Sequence, residues 1–345
     1  MNTEVTSAEE KQMDQAIGIL ENVFGDEINR TTYRNKIFGN PFKLPAPLSL
    51  SYEGAEPAGI SAFMGMKLIL NGEELPVSQA LDCAVLEQFR GKGHFFNTLE
   101  AYETLDNGSK FIIGLPNNTS FPRFLKRGYI KPMWLCHYIY ATSPLSFIFG
   151  ENGFTKAFDR LYRRFLWIKK ASAKNDEDLK IFDGMNTIPV SDAELALAAR
   201  EHGCYFLHTG ELFDWKQSYN PEMHFYWATL RKKNGTLLGY ALCHLRPRLR
   251  GNFVIIDDFG TTPECTDKKH SLRVLFSSLS DLGNITEVPF VNNEKEGPLL
   301  ASLHFKNACR FPYPLRGGPM IVSPDCNYVE EMKNCHFRNI DSDVL

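Results

Sequence analysis

Several features that would assign this chain to a special class are missing. The eight cysteines, at positions 83, 136, 204, 243, 265, 309, 326 and 335, include no Cys-x-x-Cys pair and have no His-rich stretch nearby. That spacing disfavours a zinc site and a disulfide frame and fits reduced thiols, so no metal is expected. No apolar run approaches the roughly 18 residues of a spanning helix. The opening MNTEVTSAEEKQMDQ has neither the basic nor the apolar region of a signal peptide, and a cytoplasmic protein is the expectation. Neither sign of charge dominates: 38 Lys and Arg stand against 41 Asp and Glu, a net −3. That balance argues against a nucleic-acid or membrane-coating surface and points to a discrete ligand.

What is present is ordinary globular composition, 43% hydrophobic and 23% charged over 345 residues, enough for about two domains of ~150 residues. An internal repeat divides the chain. YRNKIFGNPF (33–42) and DWKQSYNPEM (214–223) share Lys-x-x-x-Asn-Pro, with Lys36 and Asn40-Pro41 matching Lys216 and Asn220-Pro221 at an offset of 180 residues. Gly59 in AGISAF and Gly239 in LGYALC keep the same offset, so the chain reads as two copies of one domain, 1–145 and 181–345, joined by a connecting helix and linker at 146–180. In that connection Phe154, Phe158, Tyr162 and Leu166 recur every four residues, with Arg160, Arg163, Arg164, Lys169 and Lys170 around the rest of the wheel. Two readings fit: a helix packed on the domains, and a basic amphipathic helix lying on a membrane.

In the first copy the patterning predicts helices at 8–24 and 28–38, strands near 47–53, 58–65 and 77–85, a helix at 93–106, a strand at 110–115, a helix at 119–127 and a strand at 133–141. Asn71-Gly72 between apolar runs signals a hairpin, so part of the sheet is antiparallel. Strands preceding helices within a mixed sheet make the fold class α+β, with α/β-like logic.

Between the third strand and the following helix lies EQFRGKGHFF (87–96). Closely spaced glycines at a helix N-terminus let backbone N–H groups converge on one anion, and the helix dipole, Arg90 and Lys92 add positive potential. The ligand should carry phosphate. Nucleotide templates fail: Gly-x-x-x-x-Gly-Lys-Ser/Thr is absent, and Phe96 stands where Gly-x-Gly-x-x-Gly needs glycine.

Gln88-Phe89-Arg90-Gly91-Lys92-Gly93 does match Gln/Arg-x-x-Gly-x-Gly/Ala, and here the sequence resembles the GNAT superfamily of acyl-CoA-dependent N-acyltransferases. A second stretch, FIIGLPNNTSFPRFLKRGYIKP (111–132), fits the next family motif through Asn117, Ser120 and Gly128-Tyr129. The resemblance covers about residues 8–141. It implies two tandem GNAT-like domains, each a mixed, mainly antiparallel sheet flanked by helices, with acyl-CoA as co-substrate and direct attack of an amine on the thioester.

It also implies roles. Backbone groups of Cys83, Ala84 and Val85 would meet the pantetheine arm and the oxyanion, while Gln88 to His94 and the second-motif residues Asn117 and Ser120 would complete the cofactor site. Asp82, on the same strand, is a candidate base if shielded from water, and His137 on the strand after the second motif is the alternative. A thiol nucleophile at Cys83 is disfavoured, because a strand cysteine is usually a small buried residue. The family's Tyr acid is replaced by Phe124, and Tyr129 is a poor substitute.

The second copy keeps the fold signal without the chemistry: TTPECTDKKH (261–270) has no glycine and carries a proline in the turn, although Asn292-Asn293 echoes Asn117-Asn118. Trp215, Arg246 and Arg248 are the candidate acceptor contacts, an aromatic platform and guanidinium groups for phosphates. Core packing and solvated arginines are the plainer alternatives. Length, duplication and the close RFPYPLRGGPMIV resemble bacterial enzymes that N-acylate nucleotide-linked amino sugars for surface polysaccharide, with acetyl or longer groups such as 3-hydroxybutanoyl. A peptide or antibiotic amine, and a non-catalytic acyl-CoA-binding module, stay open, as does a homodimer.

Overall fold

The computed structural model describes residues 2–6, 10–105, 108–150, 152–165, 171–184, 188–248, 251–308 and 317–342; at 2–6, 10, 147, 163–165 and 248 it describes the backbone alone. Leu166, Lys169, Lys170, Cys309 and the side chain of Arg248 therefore lie outside the described residues. The first part of the chain runs β1 (Asn2–Thr6), α1 (Glu10–Phe24), α2 (Arg30–Phe38), β2 (Leu48–Glu53), β3 (Glu56–Leu70), β4 (Glu73–Ala80), β5 (Ala84–Val85), α3 (His94–Glu103), β6 (Ile112–Gly114) and α4 (Phe121–Lys126). Next come β7 (Ile130–Ala141), α5 (Pro144–Phe149), α6 (Gly153–Phe165), β8 (Glu177–Asp183), α7 (Asp192–Ala199), β9 (Cys204–Phe206) and α8 (Gly210–Ser218). The last part holds β10 (Phe225–Lys232), β11 (Leu237–Arg248), β12 (Gly251–Thr261), α9 (Lys268–Ser280), β13 (Ile285–Asn292), α10 (Gly297–Ser302), β14 (Lys306–Asn307), β15 (Gly318–Val322) and α11 (Val329–Met332).

These elements form two compact units drawn from interleaved stretches of chain. Unit 1 takes Met1–Met133, Glu211–Asn220 and Pro319–Lys333; unit 2 takes Trp134–Gly210, Pro221–Gly318 and Asn334–Leu345. Whereas the repeat suggested collinear copies, helix α8 and most of strand β15 belong to unit 1, and most of β7 belongs to unit 2.

In unit 1, β1, β2, β3 and β4 are antiparallel neighbours, β4 runs parallel to β6, and β15 closes the sheet antiparallel to β6. The β3–β4 hairpin turns at Asn71 and Gly72, with φ of 51° and 90°, the left-handed pair that matches strand twist. Helix α3 packs on β2 and β3, where Phe63 stacks on Tyr102 at 3.5 Å and Phe95, Leu99, Ile112, Phe124, Tyr129 and Ile321 complete a core.

Unit 2 repeats that order. Strands β8, β10, β11 and β12 are antiparallel neighbours, β12 runs parallel to β13 with α9 between them in sequence, and β7 closes the sheet antiparallel to β13. The repeated glycines have a shared reason. A Cβ on Gly59 would stand 3.0 Å from Ser51 Oγ and 3.3 Å from His94 Cβ, and one on Gly239 would stand 2.9 Å from the Gly260 carbonyl oxygen and 3.3 Å from Leu275. Each lets a neighbouring strand and the following helix approach closely.

Unit 2 also buries a charged network. Arg338 reaches Glu296 through two hydrogen bonds, at 2.7 and 2.5 Å, and its guanidinium lies 3.9 Å from the Phe259 ring. His208 donates from both ring nitrogens, to Asp258 at 2.9 Å and Asp341 at 2.7 Å. Burial opposes a charge on His208, but the two carboxylates outweigh it and push its pKa up to about 10. A folded-state pKa above the unfolded value of ~6.5 means that the stabilisation is fully present below about pH 6.5 and fades as pH rises through 10. Thermal melts of the wild type should therefore lose stability steeply between about pH 8 and 10. Melts of His208→Gln should be depressed at pH 7 and much flatter over that range; equal slopes would show that His208 does not carry the effect.

Candidate functional site

In the segment read as one strand over 77–85, the structure finds a break. Phe63 pairs with Ala80 and Ile60 with Ala84, so three steps along β3 face four along the other chain, and one extra residue is inserted near Asp82 and Cys83. The same break parts two parallel strands. β4 and β6 pair only at Ser78–Ala80 against Ile112–Gly114, and beyond those residues the pairing stops.

Past the bulge, Leu86 N donates to Ala58 O at 2.9 Å, which fixes the phase of β5. Residues 84 and 86 direct their backbone groups to β3, and Val85 directs its own to the opposite edge. The Val85 carbonyl accordingly accepts from Arg90 Nε at 3.3 Å. Of the proposed pantetheine contacts, Ala84 is turned toward the ladder and Val85 toward the open edge, where an extended ligand can add main-chain hydrogen bonds. Cys83 is half-buried against the α3 core.

The glycyl loop follows directly. Glu87–Phe89 form one 3₁₀ turn, and the amides of Phe89, Arg90 and Lys92 are held by Leu86, Glu87 and Phe89 carbonyls at 3.0, 3.2 and 3.4 Å. Gly91 and Gly93 adopt φ of 84° and 92°, left-handed values that cost a side-chain-bearing residue about 1–2 kcal/mol. Gly93 is the N-cap of α3 and has no side chain to cap it. Among the described residues no protein acceptor meets the amides of Gly91, Gly93, His94 and Phe95. Orphan donors at the positive end of a helix dipole are the features that favour an anion.

The corresponding start in unit 2 is built differently. Helix α9 has Asp267 as its N-cap, and the Asp267 carboxylate accepts from His270 N at 3.0 Å. A carboxylate already occupies the place an external anion would take. At the N-cap itself, α3 carries glycine and α9 carries aspartate.

The remaining candidates fall in several places. Gln88 and Arg90 are exposed at the loop, and Lys92 is exposed with its ammonium 3.6 Å from Glu53 and 5.1 Å from the Phe89 ring centre. Phe89 is buried. His94 is buried, with Nδ1 3.1 Å from Ser51 Oγ and Nε2 3.2 Å from Glu53 Oε2, so its imidazole faces β2 and only its amide faces the loop. Asn117 Oδ1 accepts from the Thr119 and Ser120 amides, both at 2.9 Å, and Ser120 is the N-cap of α4. Both residues shape that helix start.

Asp82 sits in the bulge and is paired with Lys36 of α2 at 3.0 Å, both side chains about one-fifth exposed or less. The sequence repeat contained Lys36 but gave no sign of this partner, 46 residues away along the chain. Phe124 is buried edge-on to Phe95 and Tyr129. The Tyr129 hydroxyl donates to Glu103 at 3.0 Å, and burial together with Glu103 raises its pKa well above the ordinary range, which makes it a weak proton donor to a leaving thiolate.

Trp215 in α8 is only 5% exposed; its indole N–H donates to Asn35 O at 2.7 Å and its ring packs on Tyr219. A buried indole offers little face to a sugar or base, so the packing alternative describes it. Asn35 and Trp215 are themselves 180 residues apart and equivalent under the repeat. His137 and Arg246 lie in unit 2. There His137 Nδ1 is 2.6 Å from Glu287 Oε1, a pairing that fixes the ring, and Arg246 is half-buried near the end of β11.

No protein-family model matches the sequence, and no curated protein matches it. Solved structures do match in fold. A GCN5-related N-acetyltransferase from Anabaena variabilis superposes with a TM-score of 0.62 at 12% identity over 95% of this chain and 74% of that one. A tandem GNAT protein from the clavulanic acid biosynthesis pathway gives 0.58 at 11% identity over 94% of this chain and 98% of that one. The N-myristoyltransferase of Saccharomyces cerevisiae, solved with myristoyl-CoA, gives 0.52 at 9% identity over 93% and 78%. The fold is thus the α+β fold those acetyltransferase structures share, a tandem example among them. Among the described residues there is no group of His, Cys, Asp and Glu that could hold a metal ion, and no helix long and apolar enough to cross a membrane.

If the uncapped amides bind an anion, giving α3 the cap of α9 should abolish binding. Gly93→Asp is expected to weaken coenzyme A binding, measured by calorimetry, at least about tenfold. Gly93→Asn tolerates the same backbone and carries no charge, so it should lose less. Identical affinities for wild type and Gly93→Asp would remove the loop from the site.

Proposed function

We propose that this chain is an acyl-CoA-dependent N-acyltransferase that uses the loop of unit 1. The observation that carries the reading is the set of unmet amides at Gly91, Gly93, His94 and Phe95, beside a strand edge opened by the parting of β4 and β6. The fold supports the same assignment. Coenzyme A fits these residues: the amides and Arg90 would hold its diphosphate, and the outward backbone of Val85 would meet the pantetheine arm. Bound acyl-CoA supplies the thioester carbonyl that an amine attacks.

The chain's own part is to hold, orient and move a proton. Asp82 is the candidate base, its carboxylate fixed by Lys36 and placed at the bulge next to Cys83. His137, steadied by Glu287, is the alternative. With Phe124 and the Glu103-bound Tyr129 unsuited to donating a proton, the thiolate leaves with help from water or another donor. Copies 1–145 and 181–345, joined by 146–180, keep acyl-CoA binding in the first, because Asp267 caps the corresponding helix of the second.

For the acceptor we infer the amine of a nucleotide-linked deoxyamino sugar in surface polysaccharide synthesis, acylated with an acetyl or longer group such as 3-hydroxybutanoyl. Arg246 and Arg248 would meet phosphates. This finer reading rests on the sequence resemblance; a cytoplasmic location and a homodimer are compatible with it.

Thiol release from acetyl- and longer acyl-CoAs, with a panel of dTDP- and UDP-amino sugars, peptides and aminoglycosides and product mass spectrometry, tests the proposal. Amine-dependent release with a sugar product is the expected result. Asp82→Asn should lower kcat by about 10²-fold or more with little change in coenzyme A affinity. Binding without release for any amine would favour a non-catalytic module, and unchanged kcat in Asp82→Asn would dismiss that base.

A further inference from the structure

We propose that the α5–α6 hairpin seats the protein on an anionic phospholipid surface. Twelve large hydrophobic side chains are exposed among the described residues, and five of them, Ile148, Phe149, Phe154, Phe158 and Leu161, fall within 14 consecutive positions. Phe154 is 74% exposed and Phe149 68%. Such clustering is unlike the scattered single apolar residues of an ordinary surface.

The helix has a defined inner side. Thr155 and Asp159 are buried, and Asp159 accepts from the Leu145 and Ser146 amides at 3.0 and 2.8 Å, so its carboxylate caps α5. At roughly 100° per residue, Phe154, Phe158 and Leu161 lie within about 60° of one another, and Thr155 and Asp159 lie about a quarter-turn or more to one side. Lys156 and Arg160, both exposed, occupy the remaining arc. Asp159 is the only acidic residue in Gly153–Phe165, and it is turned inward.

In a chain of net charge −3, this helix therefore presents an apolar aromatic stripe, and the exposed charged residues described on its other arc, Lys156 and Arg160, are cations. Low overall hydropathy, Lys and Arg on one arc and Phe and Leu on the other are the makeup of a helix that lies in the headgroup region. The complementary occupant is a surface that is apolar beneath and negative at its face, which is a bilayer containing anionic lipid.

Sedimentation of the full-length protein with vesicles tests this. Vesicles of about one-third phosphatidylglycerol in phosphatidylcholine should bind at least about tenfold more protein than phosphatidylcholine alone, and about 0.5 M salt should reduce the binding severalfold. Phe154→Ser/Phe158→Ser and Lys156→Glu/Arg160→Glu should each lower it about tenfold or more while leaving the melting temperature and coenzyme A binding of the exposed-site variants unchanged. Equal binding to both vesicle types, wild-type binding by the variants, or no binding to either vesicle overturns the proposal, the last outcome leaving the face to an acidic protein.

Discussion

The first amides of an α-helix must be met by something, and in this protein glycine leaves that requirement open at one helix start while aspartate closes it at another. Around α3 the consequence spreads outward. Gly93 in a left-handed conformation turns the chain into the helix without supplying an acceptor, and Gly91 turns the preceding residues so that local carbonyls hold Phe89, Arg90 and Lys92 and leave the next donors unmet. The one-residue insertion at Asp82 and Cys83 lets the chain part from β6 at the end of β4 and continue along β3 as β5. One irregularity thereby creates the strand edge, aims Val85 outward and positions the loop beyond it.

The electrostatics of this loop are mixed. Arg90 is bound back to the Val85 carbonyl, and Lys92 stands beside Glu53, which also faces His94. In the proposed site, much of the anion attraction would therefore come from oriented backbone dipoles, which carry fixed partial charge and need no counter-ion. Unit 2 instead buries a charged network in which His208 bridges Asp258 and Asp341 and Arg338 pairs with Glu296. Breaking one member of such a set leaves an uncompensated buried charge, which costs about 3–5 kcal/mol. The duplicated fold thus holds an open polar site in one unit and a closed one in the other.

The strands and helices of the first copy were legible because their period and punctuation are local: Asn71-Gly72 marks the hairpin, and the loop glycines mark the start of α3. The roles of side chains were less legible. His94 follows the loop in sequence, yet the close approach allowed by Gly59 draws its ring toward Ser51 and Glu53. Trp215 has the composition of a ligand platform and is instead buried with its N–H on Asn35. Neither Lys36 at Asp82 nor Glu287 at His137 has any signal in the local sequence, since each pair is joined only by the sheet and its helices.

By itself, the amino-acid sequence determined the α+β class, the 180-residue repeat, the glycyl helix start and its absence from the second copy, because each depends on a few neighbouring residues and their allowed backbone angles. Tertiary structure alone decided that the units interleave, that α8 and most of β15 belong with the first and most of β7 with the second, and which polar groups face inward. Those outcomes depend on strand pairing and burial between residues distant in the chain, 46 positions for Lys36 and Asp82 and 150 for His137 and Glu287, where no short-range pattern records which partner is chosen.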